Sequence, residues 1–458
     1  MVHQYKNNGY NIALDVCSGS VHVVDDLVYD MIPMYQEKSL EDIINAIKSK
    51  YKDIYSEHDI REAYEDIKEL ADSGQLFTED VYRDVIIDFK KRKTVVKALC
   101  LHIAHDCNLA CRYCFADEGE YHGQKRELMS LEVGRKAILI ENSGNRVNLE
   151  VDFFGGEPLM NFDVVKKIVE YGRSREKEAG KNFRFTLTTN GVLLNDEIMD
   201  FCNREISNVV LSLDGRKCIN DSMRPTRNGK GSYDIIVPKF QRFVSKRGNK
   251  SYYVRGTFTR NNLDFVEDFN LMADLGFKEI SIEPVVAGET CDYAIREEDI
   301  DRICKEYDKL ARNIIDRHKA GKPVTFFHFM MDLNGGPCVY KRLSGCGSGT
   351  EYLAVTPAGE LYPCHQFVGL EGFSMGNVFE GVKRTDIVDE FKLCNVYAKD
   401  KCRDCFARFY CSGGCAANSY QFHGSILDAY DIGCKLQQKR VECAIMIKAA
   451  LADLEEGE

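Results

Sequence analysis

Cys107-Asn-Leu-Ala-Cys111-Arg-Tyr-Cys114-Phe115 is the stretch on which the reading of this chain turns. Three thiols spaced C-x3-C-x2-C can hold three irons of a four-iron cluster, whereas protein-bound [4Fe–4S] clusters ordinarily take four cysteines. A compact loop with three therefore leaves one iron open to a small molecule. Structural zinc is the competing reading, but it wants four nitrogen or sulfur ligands, and neither His102 nor His105 makes a familiar zinc spacing with the triplet. Three ordinary buried thiols are the bland alternative, since free cysteine is among the most buried residue types.

Composition narrows the class. A chain of 458 residues has room for two to four domains. It is 44% hydrophobic and 29% charged, with no apolar run near the ~18 to 20 residues of a membrane span. The stretch Met1 to Gly9 lacks the apolar core of a signal peptide, so a cytoplasmic protein with no membrane partner is expected. A net charge of −11 argues against a nucleic-acid partner, which calls for a basic face. Nineteen cysteines without a secretion signal point to metal chemistry rather than a disulfide framework.

Near the N-terminus, Ile12 to Val16 and Val21 to Val24 flank Cys17-Ser-Gly-Ser20 and predict a hairpin. Two helices are expected after it. Ser39 with Asp42, and Ser56 with Asp59, have the spacing of capping boxes ahead of periodic apolar residues, and Gly74 is a helix stop. From Val95 to about Val286, strand and helix patterns alternate, as in an α/β fold with a parallel sheet. The expected strands are Val95 to Ile103, Leu149 to Phe154, Phe183 to Thr188, Val209 to Leu213, Tyr252 to Phe258 and Glu279 to Glu283.

In parallel barrels the active site lies at the C-terminal strand ends, and the motifs fall there in order. The cysteine loop follows the first strand, Gly155-Gly156-Glu157-Pro158 the second, Thr188-Thr-Asn190-Gly191 the third and Ser212-Leu-Asp214-Gly215 the fourth, while Arg255 lies on the fifth. The two glycines allow close backbone approach to a ligand. No G-x-G-x-x-G follows any of these strands. A second cysteine series runs Cys346, Cys364, Cys402, Cys405, Cys411, Cys415 and Cys434. A pair of zinc ribbons is the alternative to iron–sulfur ligation there.

The cysteine loop, with Tyr113 before its last thiol, resembles the radical S-adenosylmethionine (radical SAM) enzymes. That resemblance implies a partial (β/α)6 barrel over residues 94–310, a [4Fe–4S] cluster on Cys107, Cys111 and Cys114, and SAM bound at the open iron. It also implies a SAM pocket drawn from Tyr113, Gly155, Gly156, Glu157, Asn190, Ser212, Asp214 and Arg255, with Glu157 on the amino group and Arg255 on the carboxylate.

Residues 1–90 resemble the winged-helix-like element that binds a leader peptide by strand addition; a DNA-binding winged helix and a plain structural cap are the other readings. Residues 346–445, after a connecting segment at 311–345, resemble a SPASM domain. By that resemblance Cys402, Cys405, Cys411 and Cys434 hold an outer auxiliary cluster and Cys346, Cys364 and Cys415 a nearer one, making three [4Fe–4S] clusters. The nearer set is one ligand short. Either Cys338, in Gly335-Gly-Pro-Cys338, completes it or a substrate thiolate does, while Cys17, Cys100, Cys394 and the other thiols are read as packing.

Taken whole, the chain is most similar to thioether-forming SCIFF (sactipeptide-type) peptide maturases. The resemblance implies a Cys-rich precursor peptide with a leader and a reducing electron donor of flavodoxin or ferredoxin type. It implies reductive SAM cleavage to a 5′-deoxyadenosyl radical, hydrogen abstraction from a substrate α-carbon, and sulfur bonding to that carbon. The alternatives are anaerobic sulfatase maturation to formylglycine, carbon–carbon cross-linking within a peptide, and a non-catalytic iron–sulfur electron carrier or peptide-delivery scaffold.

Overall fold

Alternation of burial along each strand builds the central sheet. In Asn148–Gly155, Leu149, Val151 and Phe153 are buried while Glu150 is exposed; in Asn182–Thr189, Phe183, Phe185 and Leu187 repeat the pattern. These apolar side chains face the covering helices, and the residues between them form a concave, polar inner face. The computed structural model describes the whole chain except residues 53, 84–88, 90, 139–143, 145, 334–337 and 457–458.

Fourteen strands are present among the described residues. β1 (Val2–Asn7), β2 (Tyr10–Asp15) and β3 (Val21–Val24) make a separate antiparallel sheet in that order. β4 (Ala98–Ala104), β5 (Asn148–Gly155), β6 (Asn182–Thr189), β7 (Asn208–Ser212), β8 (Ser251–Phe258) and β9 (Glu279–Pro284) lie side by side in chain order, all parallel. These are the six strands expected, and they form the radical SAM type of α/β sheet.

The sheet is larger than a six-stranded barrel. β10 (Thr325–Phe326) adds in parallel beside β9. At the other edge β11 (Tyr352–Val355) pairs in parallel with β4, and β12 (Glu360–Tyr362), β13 (Gly376–Asn377) and β14 (Gly381–Val382) follow as antiparallel neighbours. The cysteine-rich segment thus begins as an extension of the barrel sheet. The expected boundary at residue 310 falls inside the helix Ile300–Lys319.

The N-terminal unit has its own core, in which Ala13, Leu27, Met31, Ile43, Ile47, Ile60 and Ile67 are buried together. Ser39 and Ser56 cap the helices Leu40–Tyr51 and Glu57–Asp72 as their spacing predicts, with the reciprocal capping box complete at Ser56 and Asp59. Two elements were not expected. β1 turns the hairpin into a three-stranded sheet, and a third helix, Asp26–Tyr35, is capped by Asp25 and tolerates Pro33. β1 rests on the C-terminal helix Asp431–Glu456: Tyr5 Oη donates to the Glu442 carbonyl at 2.9 Å, and His3 Nε2 lies 3.0 Å from a Glu442 carboxylate oxygen. No described helix is long and apolar enough to cross a membrane.

Glu351 fixes the junction between barrel and cysteine-rich segment. It is 6% exposed, its carbonyl accepts from the Lys97 and Ala98 amides at 2.8 and 3.1 Å, and its carboxylate pairs with both Arg92 and Lys97. Truncation strands two partly buried cations, so Glu351→Ala is expected to lower stability by about 2 kcal/mol, read from the midpoint of urea unfolding.

Candidate functional site

The cysteine loop leaves β4 and is pinned from two sides. The Ala110 and Arg112 amides donate to the carbonyls of Pro225 and Met223 at 2.8 and 2.9 Å, tying the loop to the segment beyond β7. On the other side, the Gly156 and Glu157 amides donate to the Ala104 and Asp106 carbonyls at 2.7 and 2.8 Å. Gly155 has φ +127°, and a Cβ there would stand 2.3 Å from the Ala104 oxygen; one on Gly156 would stand 2.1 Å from the Asp106 oxygen. The glycines admit the backbone of the cysteine loop itself, a different reason from the ligand approach expected of them. Both contacts are too short for any side chain, so Gly156→Ala should displace the loop, and iron bound after anaerobic reconstitution should fall by about one cluster per chain.

Glu157 is 1% exposed, and its carboxylate accepts from the Leu159 amide at 3.0 Å, the Thr189 hydroxyl at 2.7 Å and the Asn190 amide at 2.7 Å. Burial pushes its carboxyl up to about 7 against these donors. Asn190 continues the chain of contacts: its side-chain amide donates to Asn108 Oδ1 at 2.7 Å and sits 3.6 Å from Cys107 Sγ. Sequence reasoning singled out Glu157 and Asn190 separately and passed over Thr189, which joins them.

Tyr113 and Asp214 meet directly. The Tyr113 hydroxyl donates to Asp214 at 2.6 Å and accepts from Arg224 at 2.9 Å, while the Thr257 amide donates to the other Asp214 oxygen at 3.0 Å. Asp214 is 1% and Arg224 8% exposed. These contacts brace the cysteine loop against β7 and β8. Arg224 carries no local sequence signal; its role depends on the fold around it.

Ser212 and Arg255 are register neighbours across β7 and β8, both on the concave face. Arg255 pairs with Glu283 at 3.0 Å. His328 and Arg440 complete this group: His328 Nε2 lies 3.1 Å from Ser281 Oγ, and Arg440 donates to the Tyr307 hydroxyl at 2.9 Å. Burial pushes Glu283 upward, but Arg255, His328 and Arg440 outweigh it and hold the carboxyl down at about 2. No local motif points to His328 or Arg440, because they reach this group from outside the barrel repeat.

The donor set suits a cluster. Burial pushes Cys107 up to about 12 and Cys111 up to about 11, and raises Cys114 as well, so the bare thiols are protonated and ligation has to displace those protons. Among the described residues no three His, Cys, Asp or Glu groups converge tightly enough to hold one metal ion, as a zinc with ~2.3 Å sulfur bonds requires. His105, whose spacing to the triplet does not suit zinc, packs beside the loop with its Nε2 3.0 Å from His102 Nδ1.

The second cysteine series is gathered into two neighbourhoods. Cys364 interacts electrostatically with Cys415 and Cys346, and Cys434 with Cys411, Cys402 and Cys405. Cys394, expected to be packing, lines one cavity with Cys346, Gly347 and Gly414. Cys338 begins the helix Val339–Ser344, exposed and a full helix away from Cys346; residues 335–337 of its expected loop lie outside the described residues.

Residues 101–269, which span β4 to β8, match the family model described as the Radical SAM superfamily. The chain is 30% identical over 191 residues to an uncharacterised protein of Methanocaldococcus jannaschii, an alignment spanning 41% of this chain and 62% of that relative. It is 23% identical over 367 residues to the radical SAM cyclopropyl synthase TigE of Paramaledivibacter caminithermalis, spanning 72% of this chain and 70% of TigE. Native anSMEcpe with bound AdoMet superposes with a TM-score of 0.65 at 20% identity, over 78% of this chain and 99% of that one. Streptococcus suis SuiB bound to its precursor peptide SuiA gives 0.50 at 16% identity, over 94% and 100%. These structural likenesses concern the fold.

On the concave face, Asp152 lies in register with Cys100 and Thr186. Burial pushes its carboxyl up to about 6, Glu150 adding and the Thr186 hydroxyl opposing. An unfolded aspartate ionises near pH ~3.9, so this group's contribution is intact below that value and is lost as pH rises through 6. The stability advantage of Asp152→Asn over the wild type should therefore grow by about 2 kcal/mol between pH 4.5 and 8, measured by urea unfolding of the cluster-free chain.

Proposed function

We propose that this chain is a radical SAM maturase that forms thioether cross-links, cysteine sulfur to backbone α-carbon, in a Cys-rich precursor peptide. One observation carries the peptide part of the reading: β3 is the open edge of the N-terminal sheet, whereas β1 at the other edge rests on the helix Asp431–Glu456. Val23 on that edge strand is 51% exposed. An unpaired edge can take an added strand from a leader peptide. SuiB, whose likeness extends over the N-terminal unit, is described with a precursor peptide, and anSMEcpe with AdoMet.

With SAM and iron–sulfur clusters bound, the cofactors supply a 5′-deoxyadenosyl radical and one-electron chemistry. The chain's own part is to hold and orient. Cys107, Cys111 and Cys114 are the ligands of the first cluster; Ser212 and Arg255 face the space where a SAM carboxylate would sit. Arg255 already holds Glu283, and because both are more than a third exposed, exchanging one carboxylate for another costs little. The Gly155-Gly156-Glu157 turn keeps the loop in place, and the buried wall around Tyr113 and Asp214 limits water near the radical. Cys346, Cys364 and Cys415, with Cys402, Cys405, Cys411 and Cys434, are the auxiliary ligand sets. Forming the thioether removes two hydrogens from the peptide: one atom to the deoxyadenosyl carbon, and one as a proton plus an electron for an auxiliary set.

Reduced, reconstituted protein should release 5′-deoxyadenosine from SAM. With a Cys-rich precursor peptide encoded beside it, mass spectrometry should show a loss of about 2 Da per modification, with one cysteine resisting alkylation; a modified peptide whose thiols all alkylate would rule the thioether out. For the edge, prolines are placed at His22 and Val23 one at a time. Neighbouring strand amides point to opposite sides, so one of the two removes an outward donor. That variant should weaken leader binding at least tenfold by fluorescence anisotropy while peptide-independent SAM cleavage is unchanged.

A further inference from the structure

Lys399 lies between the two auxiliary cysteine sets and is 1% exposed. Lysine is almost never this buried unless an anion compensates it. Among the described residues its polar contacts are the Gly413 carbonyl, 2.9 Å from Nζ, and the Cys394 thiol, neither of them a carboxylate. Gly413 stands two residues from Cys411 of one set and two from Cys415 of the other, and the Cys402 amide donates to the Lys399 carbonyl at 2.9 Å, so members of both sets surround the lysine.

Bare thiols cannot balance an ammonium. An ordinary cysteine thiol is protonated and neutral near pH ~7, and a buried ammonium without a counter-charge is strongly unfavourable. Ligated cysteines are thiolates. A four-iron cluster held by three or four of them carries net negative charge, and a cluster's reduction potential depends on net charge and on hydrogen bonds near its sulfurs. Thiolates in the two sets would supply the counter-charge that the lysine otherwise lacks.

We propose that Lys399 is the shared counter-charge of the two auxiliary iron–sulfur sites, placed between Cys415 of one and Cys402 and Cys411 of the other, where it raises the reduction potential of both. This rests on the auxiliary-cluster reading above. Lys399 acts through the ligands, as a residue that tunes and retains the clusters.

The test uses the full chain carrying Cys107→Ala, Cys111→Ala and Cys114→Ala, so that the auxiliary sites alone are read. Iron is counted after anaerobic reconstitution, and midpoint potentials are taken by EPR-monitored redox titration. About eight irons per chain upholds the cluster reading; none would defeat that reading independently of the lysine. Lys399→Gln, which keeps a donor for Gly413 without the charge, should lower both potentials by at least tenfold in the one-electron equilibrium, about 59 mV, or should lose the clusters. Lys399→Arg should retain iron and stay within that margin. Wild-type potentials in the Gln variant, or equal loss of iron in the Gln and Arg variants, would overturn the proposal.

Discussion

Two glycine Cα atoms pressed against a neighbouring backbone govern the placement of everything else in the site. Gly155 and Gly156, at the end of β5, approach the Ala104 to Asp106 backbone so closely that no side chain fits between them. That contact sets the direction in which the chain leaves β4, and hence where Cys107, Cys111 and Cys114 point. The same turn delivers Glu157 to Thr189 and Asn190, so the first three strand ends of the barrel are tied by a short run of hydrogen bonds. A parallel sheet supplies strand ends at ~4.8 Å intervals; the glycines and their carboxylate turn that spacing into a fixed constellation.

Polar groups in this barrel are buried in connected sets. Tyr113, Asp214 and Arg224 satisfy one another; a second connected set, Arg255 and Glu283 with His328 and Arg440, is looser, with Arg255 and Glu283 both more than a third exposed. Within a site of low polarity such sets hold side chains in single orientations, because breaking one contact leaves a buried group unpaired. His102, His105 and His328 are all lowered by burial, so they are neutral near pH 7. Charge is therefore concentrated on the arginines, the carboxylates and Lys399.

Much of the barrel was legible in the sequence because strand burial has a period of two, and Leu149, Val151 and Phe153 or Phe183, Phe185 and Leu187 display it plainly. Capping residues were equally readable: Ser39 and Ser56 act locally, within one helical turn. β1 was missed because Val2 to Asn7 alternates weakly, and the helix Asp26–Tyr35 because Pro33 breaks its pattern. β10 to β14 are two to four residues long, too short for any periodicity, and exist because a formed sheet edge recruits them. Arg224, His328, Lys399 and Arg440 were invisible for a related reason: each gains its importance from partners tens to hundreds of residues away. Glu157 stands out in the sequence by its Gly-Gly-Glu turn, yet its oxygens are taken by protein donors, which no spacing rule reveals.

The helix Asp431–Glu456 touches three regions of the chain. Cys434 neighbours Cys402, Cys405 and Cys411, Arg440 reaches the group on the concave barrel face, and Glu442 receives His3 and Tyr5 of the N-terminal sheet. At ~1.5 Å rise per residue these contacts fall within ~12 Å of a single rigid rod. The mounting of that sheet, the electrostatics of the barrel interior and the environment of one group of cysteines therefore share a single strut.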